Sequence, residues 1–399
     1  MKRVFITVAA LLIAAAAQAQ EPTVADLQKQ LQELSAKIAK LEAQQAALPV
    51  AAAPSGDLAA RLAKLEAKPS VPQWALDTKI KGDFRYRYEN VDRADATYKD
   101  RQRVRLRVGA YGKVNDSVDY GIRLATGGSS ATSANQDIDG GTKKEIMLDR
   151  YYVDLHPEMF KGAHLIMGKM AQPWVARTGL IWDGDLNPEG FALTYANTYS
   201  NGVKLIANAG SFVLKEDKGD DLQLWAGQIA AETKVGGVTV LTGVSDFYYQ
   251  NAGDQGAGNG LTSGMNNTVG TEFHLVEGFG SVGTKIGDLP VAFNGQYVMN
   301  VAAESSDASA YLLGVKFGKA KAKGEWEAGY NYRDTGADAV PDGFNDSDFA
   351  YGSTASHGHA FWAKYQIAKN LQGGATYLMA VDNNGDDVNT MQLDLNFKF

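Results

Sequence analysis

Met391-Gln392-Leu393-Asp394-Leu395-Asn396-Phe397-Lys398-Phe399 alternates without a break, apolar at every odd position and polar or charged at every even one. Successive side chains of a strand point to opposite faces, so this segment has one face suited to hydrocarbon and one suited to water. The strand ends on Phe399 itself, with no cap or loop after it. This predicts the closing strand of a barrel that sits in a membrane.

The same period runs through residues 77–399. Ile80, Phe84, Tyr86 and Tyr88 alternate with Lys79, Lys81, Asp83, Arg85, Arg87 and Glu89. After a polar loop, Val104, Leu106, Val108 and Ala110 alternate with Arg101, Arg103, Arg105 and Arg107. Further segments fall near 118–126, 146–155, 163–170, 189–197, 202–214, 221–234, 238–249, 271–286, 291–302, 310–318, 324–333, 358–367, 371–381 and 390–399, with the weakest alternation in the fifth and tenth of the whole series. Every second connection is short (Asn115-Asp116-Ser117, Val235-Gly236-Gly237, Gly287-Asp288-Leu289-Pro290, Ala368-Lys369-Asn370), while the others include long polar stretches at 127–145, 171–188, 250–270 and 334–357. Short turns on one side and longer loops on the other are the asymmetry of transmembrane barrels, and an even strand count puts both barrel ends in the periplasm. The predicted fold is all-β, a transmembrane antiparallel β-barrel of about 16 strands. A soluble β-sandwich would account for neither the charged strand faces nor the terminal Phe.

Composition agrees with that fold. The chain has 399 residues and no cysteine, which excludes disulfides, thiol nucleophiles and thiolate metal sites. Its 43 glycines, 18 tyrosines and 15 phenylalanines suit tight turns and aromatic girdles. A mean hydropathy of −0.26 fits a barrel, where only alternate residues meet lipid, and not a helical membrane protein. The formal charge of −7 argues against nucleic acid as a partner.

Residues 1–19 read as a signal peptide. Lys2 and Arg3 precede an apolar stretch at 4–17, and Ala17-Gln18-Ala19 offers small residues for cleavage before Gln20. The stretch is shorter than the roughly 20 residues a spanning helix needs. Residues 20–48 then carry a heptad seam, Leu27, Leu31, Leu34, Ile38, Leu41 and Leu48, which predicts a coiled-coil core. A Pro/Ala-rich linker (49–57) separates it from a second short helical segment (58–68, with Leu58, Leu62 and Leu65), and a further linker (69–76) leads to the barrel at 77–399. Helices this short scarcely hold together alone in water. A periplasmic coiled coil shared by neighbouring subunits is therefore preferred to one amphipathic helix lying on the barrel.

The arginines are the most functional-looking feature. If the first hairpin turns about Asp95, Arg87 faces Arg103 and Arg85 faces Arg105, with Asp83 near Arg107 and Glu89 near Arg101. The ladder comprises eight cations (Lys79, Lys81, Arg85, Arg87, Arg101, Arg103, Arg105, Arg107), too many for Asp83 and Glu89 to neutralise. The predicted arrangement is a basic wall lining a water-filled lumen and biasing passage toward anions. A counter-charge is offered by the third outer connection, in which Trp174, Leu180, Ile181 and Trp182 have little reason to stay exposed. Folded into the lumen, it would bring Arg177, Asp183, Asp185 and Glu189 to the wall.

Two resemblances attach to these residues. A strand closing on a terminal Phe resembles those of Gram-negative outer-membrane barrels, in which the assembly machinery reads the last strand, and this implies that Phe399 is an assembly signal. The stretch Gly168-Lys169, Pro173-Trp174 and Trp182-Asp183-Gly184-Asp185-Leu186-Asn187-Pro188-Glu189-Gly190 resembles the signature of the proteobacterial putative porins, with Lys169 in place of an arginine. That resemblance implies an outer-membrane channel for passive diffusion of small hydrophilic solutes and ions, with the third loop as its constriction. It also implies a homotrimer, and the barrel's outside would meet lipid and lipopolysaccharide.

Other readings have less behind them. No cofactor is expected. His357 and His359 lack a third metal ligand, and Asp382-Asn383-Asn384-Gly385-Asp386-Asp387 begins like a calcium loop but has Leu393 where the bidentate glutamate belongs. No motif places a nucleophile with a base, so an enzyme is not expected. Two alternatives to a general porin stay open: a structural anchor whose coiled coil tethers cell-wall material, and an anion- or phosphate-selective channel.

Overall fold

The computed structural model describes residues 32–33, 35–37, 39–40, 72–94, 99–175, 178–253, 261 and 266–399. The chain divides into two units, Met1–Ser70 and Val71–Phe399. In the first, the described residues are helical and exposed. The heptad positions Leu27, Leu31, Leu34, Ile38, Leu41 and Leu48 lie outside the described residues, as do the signal segment and both linkers up to residue 71.

The second unit begins with a one-turn helix, α1 (Gln73–Leu76), followed by sixteen strands. They are β1 (Lys79–Arg93), β2 (Lys99–Asn115), β3 (Val118–Thr126), β4 (Ile146–Leu155), β5 (Ala163–Lys169), β6 (Glu189–Thr198), β7 (Lys204–Lys215) and β8 (Leu222–Val235). The second half comprises β9 (Val238–Gln250), β10 (Phe273–Ile286), β11 (Leu289–Asn300), β12 (Ser309–Gly318), β13 (Trp326–Thr335), β14 (Ser356–Ala368), β15 (Leu371–Val381) and β16 (Asp387–Lys398). Each pairs antiparallel with its sequence neighbours, and β16 pairs with β1, so the sheet closes with no free edge. A two-residue strand at Gln136–Asp137 lies outside this cycle and pairs with Arg103 and Val104. The fourteen segments read after the first hairpin are all present with ends displaced by at most three residues, and both strands of that hairpin run longer than read.

Alternation decides which way each side chain points. Along β16, Leu393 and Phe397 are exposed on the outside while Thr390 and Gln392 are buried within. The closing strand carries one residue beyond β16: the Phe399 amide donates to the Gly82 carbonyl at 3.0 Å, and the Gly82 amide to the Phe399 carbonyl at 2.9 Å. Glycine is required at 82, because a Cβ there would lie 2.4 Å from both the Phe399 ring and the Arg107 carbonyl oxygen.

The first hairpin has the register its sequence predicts, with Arg85 opposite Arg105 and Arg87 opposite Arg103. A bulge shifts the β3–β4 register between Arg123 and Leu124. Bulges re-aim side chains, and this one lets the neighbours Asp149 and Arg150 both reach inward partners, Arg123 and Asn187.

Candidate functional site

Two outer loops pack apolar side chains against the inner faces of the strands. The third loop, residues 170–188, turns inward after β5 and lays Trp174 against Phe212 and Phe247, with ring centroids 5.9 and 5.1 Å apart. Trp182 packs edge-on to Phe247 and stacks on Phe344 of the seventh outer loop, residues 336–355. Trp174, Leu180, Ile181 and Trp182 are all buried, as their apolar character in a long loop predicted. Polar groups on the inner faces of β8 and β11 fasten the same loop. The Val175 amide donates to Gln228 at 2.8 Å, and Thr178 hydrogen-bonds Gln296. The first of these stands in for a ladder partner that a loop inside a barrel lacks.

From this anchorage the loop crosses toward the opposite wall. Asp185 lies 3.5 Å from Arg105 and 3.3 Å from Arg107, meeting the basic face from across the lumen. Asn187 accepts from Arg150 at 2.6 Å and donates to Asp149 at 2.8 Å. Asp183 does not reach the arginines. It is buried, and its Oδ2 accepts from the amide and the hydroxyl of Ser347 at 2.9 Å each, which fastens the third loop to the seventh. Burial and the nearby Asp346 carboxylate push its pKa up to about 7. Glu189 also departs from expectation. It sits at the start of β6 on the outer face, bonded to the Tyr151 hydroxyl and 3.5 Å from Lys169, because Ala192 and not Phe191 marks the inward parity of that strand. Arg177 lies outside the described residues.

Six arginines of the first hairpin share one face and are not short of counter-charge. Arg87 makes a bidentate pair with Asp394 at 2.7 and 2.9 Å and a second pair with Asp348 at 3.0 Å. Arg101 and Arg103 share Glu89 and Asp137; Arg105 and Arg107 share Asp83 and Asp185. Arg85 donates to Asn135 at 2.5 Å and lies 4.0 Å from Asp394. Six guanidiniums thus face six carboxylates: Asp83, Glu89, Asp137, Asp185, Asp348 and Asp394. Burying like charges opposite one another is unfavourable unless such partners intervene, and four of the six come from loops or strands remote in sequence from the hairpin. Lys79 and Lys81 continue the same face toward the short-turn end, where both are exposed.

Sequence reasoning missed the seventh loop. Its Asp346 pairs with Arg333 at 3.0 Å, Arg333 lies over the Phe349 ring at 4.2 Å, and Asp348 pairs with Arg87. Ala339, Val340, Phe344, Phe349 and Ala350 are buried. The signal was the one used for the third loop, apolar residues in a long connection. His357 and His359 stand on the outward face of β14, where His359 bonds the Tyr330 hydroxyl at 2.9 Å and packs among Tyr332 and Phe361. Asp382 accepts from the amides of Asn384 and Asp386 and pairs with Arg93, so its carboxylate shapes a turn.

Between the wall and the two loops lies a polar gap bounded by Arg85, Arg105, Asn135, Asp185, Ser347 and Asp348. One side carries guanidiniums and the other carboxylates, so a solute in the gap experiences a field across its path.

A family model described as putative porin matches residues 92–272 and 289–399. No curated protein matches the chain. Among solved structures, the barrel is similar to OprB of Pseudomonas putida at high pH, with 11% identity over 81% of this chain and 94% of that one, at a TM-score of 0.56. The low-pH structure of OprB gives 8% identity over 87% and 98%, at 0.51. OmpF of Salmonella typhi in complex with daunomycin gives 11% identity over 81% and 97%, at 0.50. At such identities the likeness is one of fold.

Proposed function

The chain belongs to the putative porin family, and from that premise we propose that it is an outer-membrane channel for passive diffusion of small hydrophilic solutes and ions, constricted where the third loop meets the arginine wall. The observation that carries this reading is Asp185 within 3.5 Å of both Arg105 and Arg107, on a loop whose other half is anchored by Trp174 and Trp182. A barrel of about 16 strands encloses more space than its own wall side chains fill, so inward loops set the bore. Anchoring the third loop on the apolar inner face leaves the passage against the arginines, and the seventh loop narrows it further through Asp346, Ser347 and Asp348.

The wall's charges balance locally, so selectivity comes from the direction of the field and from whichever charge is left unpaired, not from a surplus of arginine. In this reading residues 1–19 are a signal peptide, the short turns face the periplasm, and the heptads of residues 27–48 hold three copies together there. Phe399 is the assembly signal. The purified protein in a planar bilayer should give stepwise, ohmic conductance in potassium chloride. Folded protein that inserts without any conductance would refute the channel.

A further inference from the structure

A second basic cluster stands apart from the arginine wall. Lys234 on β8, Lys285 on β10, Lys316 on β12, Lys364 on β14 and Lys398 on β16 line one cavity of about 690 Å³ together with Lys319 and Lys321 of the β12–β13 turn. Each strand lysine has the inward parity of its strand, shared with the buried Gln228, Glu277, Leu312, Ala360 and Gln392. Four of them lie within four residues of the strand's end at a short turn, and Lys398 ends β16 on the same side of the barrel. The five form a collar on alternate strands at the short-turn mouth of the lumen.

The acids there are few. Among the described residues Glu327 is the one carboxylate lining this cavity, 3.6 Å from Lys316 and 3.4 Å from Lys364, and Glu325 lies 3.8 Å from Lys319. No described carboxylate pairs with Lys234, Lys285 or Lys398, while Glu325 also accepts from the Lys321 amide at 3.0 Å. This differs from the arginine wall, where each guanidinium meets acids. Lysine also suits the capture of a multivalent anion, because a mobile point charge on a long stem adapts to it, whereas arginine's fork suits one fixed planar partner. The collar faces the lumen, so lipid headgroups do not reach it. At a Debye length of about 8 Å at physiological salt, charges gathered in one cavity reinforce one another before screening separates them.

We propose that this lysine collar is a binding vestibule, at the periplasmic mouth, for small soluble anions carrying several phosphate-like charges. The inference rests on the channel reading for its place in transport, but the binding itself does not. The test uses inorganic tripolyphosphate with the full-length protein. By titration calorimetry in detergent micelles we expect saturable binding that weakens as salt rises, and that falls on the order of tenfold in the triple variant Lys285→Gln, Lys316→Gln, Lys364→Gln, as three exposed charge contacts imply. The turn variant Lys161→Gln, outside the cavity, should bind as wild type does. No binding, or binding equal in the triple variant, overturns the collar. In a single inserted channel, tripolyphosphate should block from one face at a concentration about tenfold below that needed at the other, and the triple variant should lose the difference; equal block from both faces overturns its placement at one mouth. Binding without any potassium chloride conductance would sink the channel reading and leave the collar standing.

Discussion

At the scale of single residues, Asp183 shows how a charge can hold two loops together at a cost. Its folded-state pKa of about 7 stands above the ordinary 3.8, with burial the main cause. The native protein therefore binds this proton more readily than the unfolded chain does between those values. Stability contributed by the protonated group is fully present below about pH 4 and is lost as pH rises through about 7. Urea unfolding of the folded barrel should thus show a decline from pH 5 to pH 8, and Asp183→Asn should flatten it. A wild-type slope that the substitution leaves intact would place the titrating group elsewhere. Gly82 makes a second residue-scale case. Gly82→Val should impair closure of β1 on the terminal strand, read as loss of the heat-modifiable folded band, since the added side chain meets the Arg107 carbonyl as well as the Phe399 ring.

At the scale of elements, the third loop behaves as a piece of core carried by a connection. Trp174 is 1% exposed among Phe212, Phe247 and Trp182, and truncating a buried tryptophan costs on the order of 3–5 kcal/mol. Trp174→Ala should lower the temperature at which the barrel loses its folded mobility and raise single-channel conductance, as the loop loses its hold on the apolar wall. Unchanged conductance in a destabilised variant would mean that the loop does not set the bore. Strands were legible because a lipid-facing barrel repeats the same two-residue code on every strand, and the first hairpin's register followed from its own turn. The loop's inward fold was legible from its tryptophans. The partners of Asp183 and Glu189 were not legible, because the partner of a loop carboxylate depends on strand parity and on a second loop far away in sequence. Of the acids that neutralise the arginine wall, Asp348 and Asp394 lie 261 and 307 residues from Arg87, a distance pattern reading cannot cross.

At the scale of the whole molecule, closure, inward loops and paired charges combine into one device. Closure removes every exposed strand edge in the membrane. The third and seventh loops fill one side of the lumen, and the balanced arginine wall bounds the other. In the proposed assembly, deleting residues 24–68 should weaken a trimer that light scattering detects for the full-length protein, and a full-length monomer would contradict the heptad reading. The reversal potential in a low-salt gradient tests the central claim, that solutes pass between the third loop and the arginine wall. Asp185→Asn leaves Arg105 and Arg107 with one acid fewer and should shift the potential toward anion preference. Arg105→Gln leaves Asp83 and Asp185 in excess and should shift it toward cation preference, both shifts shrinking at high salt. Reversal potentials that stay at the wild-type value in both variants would contradict the account, because those charges would then lie off the conducting path.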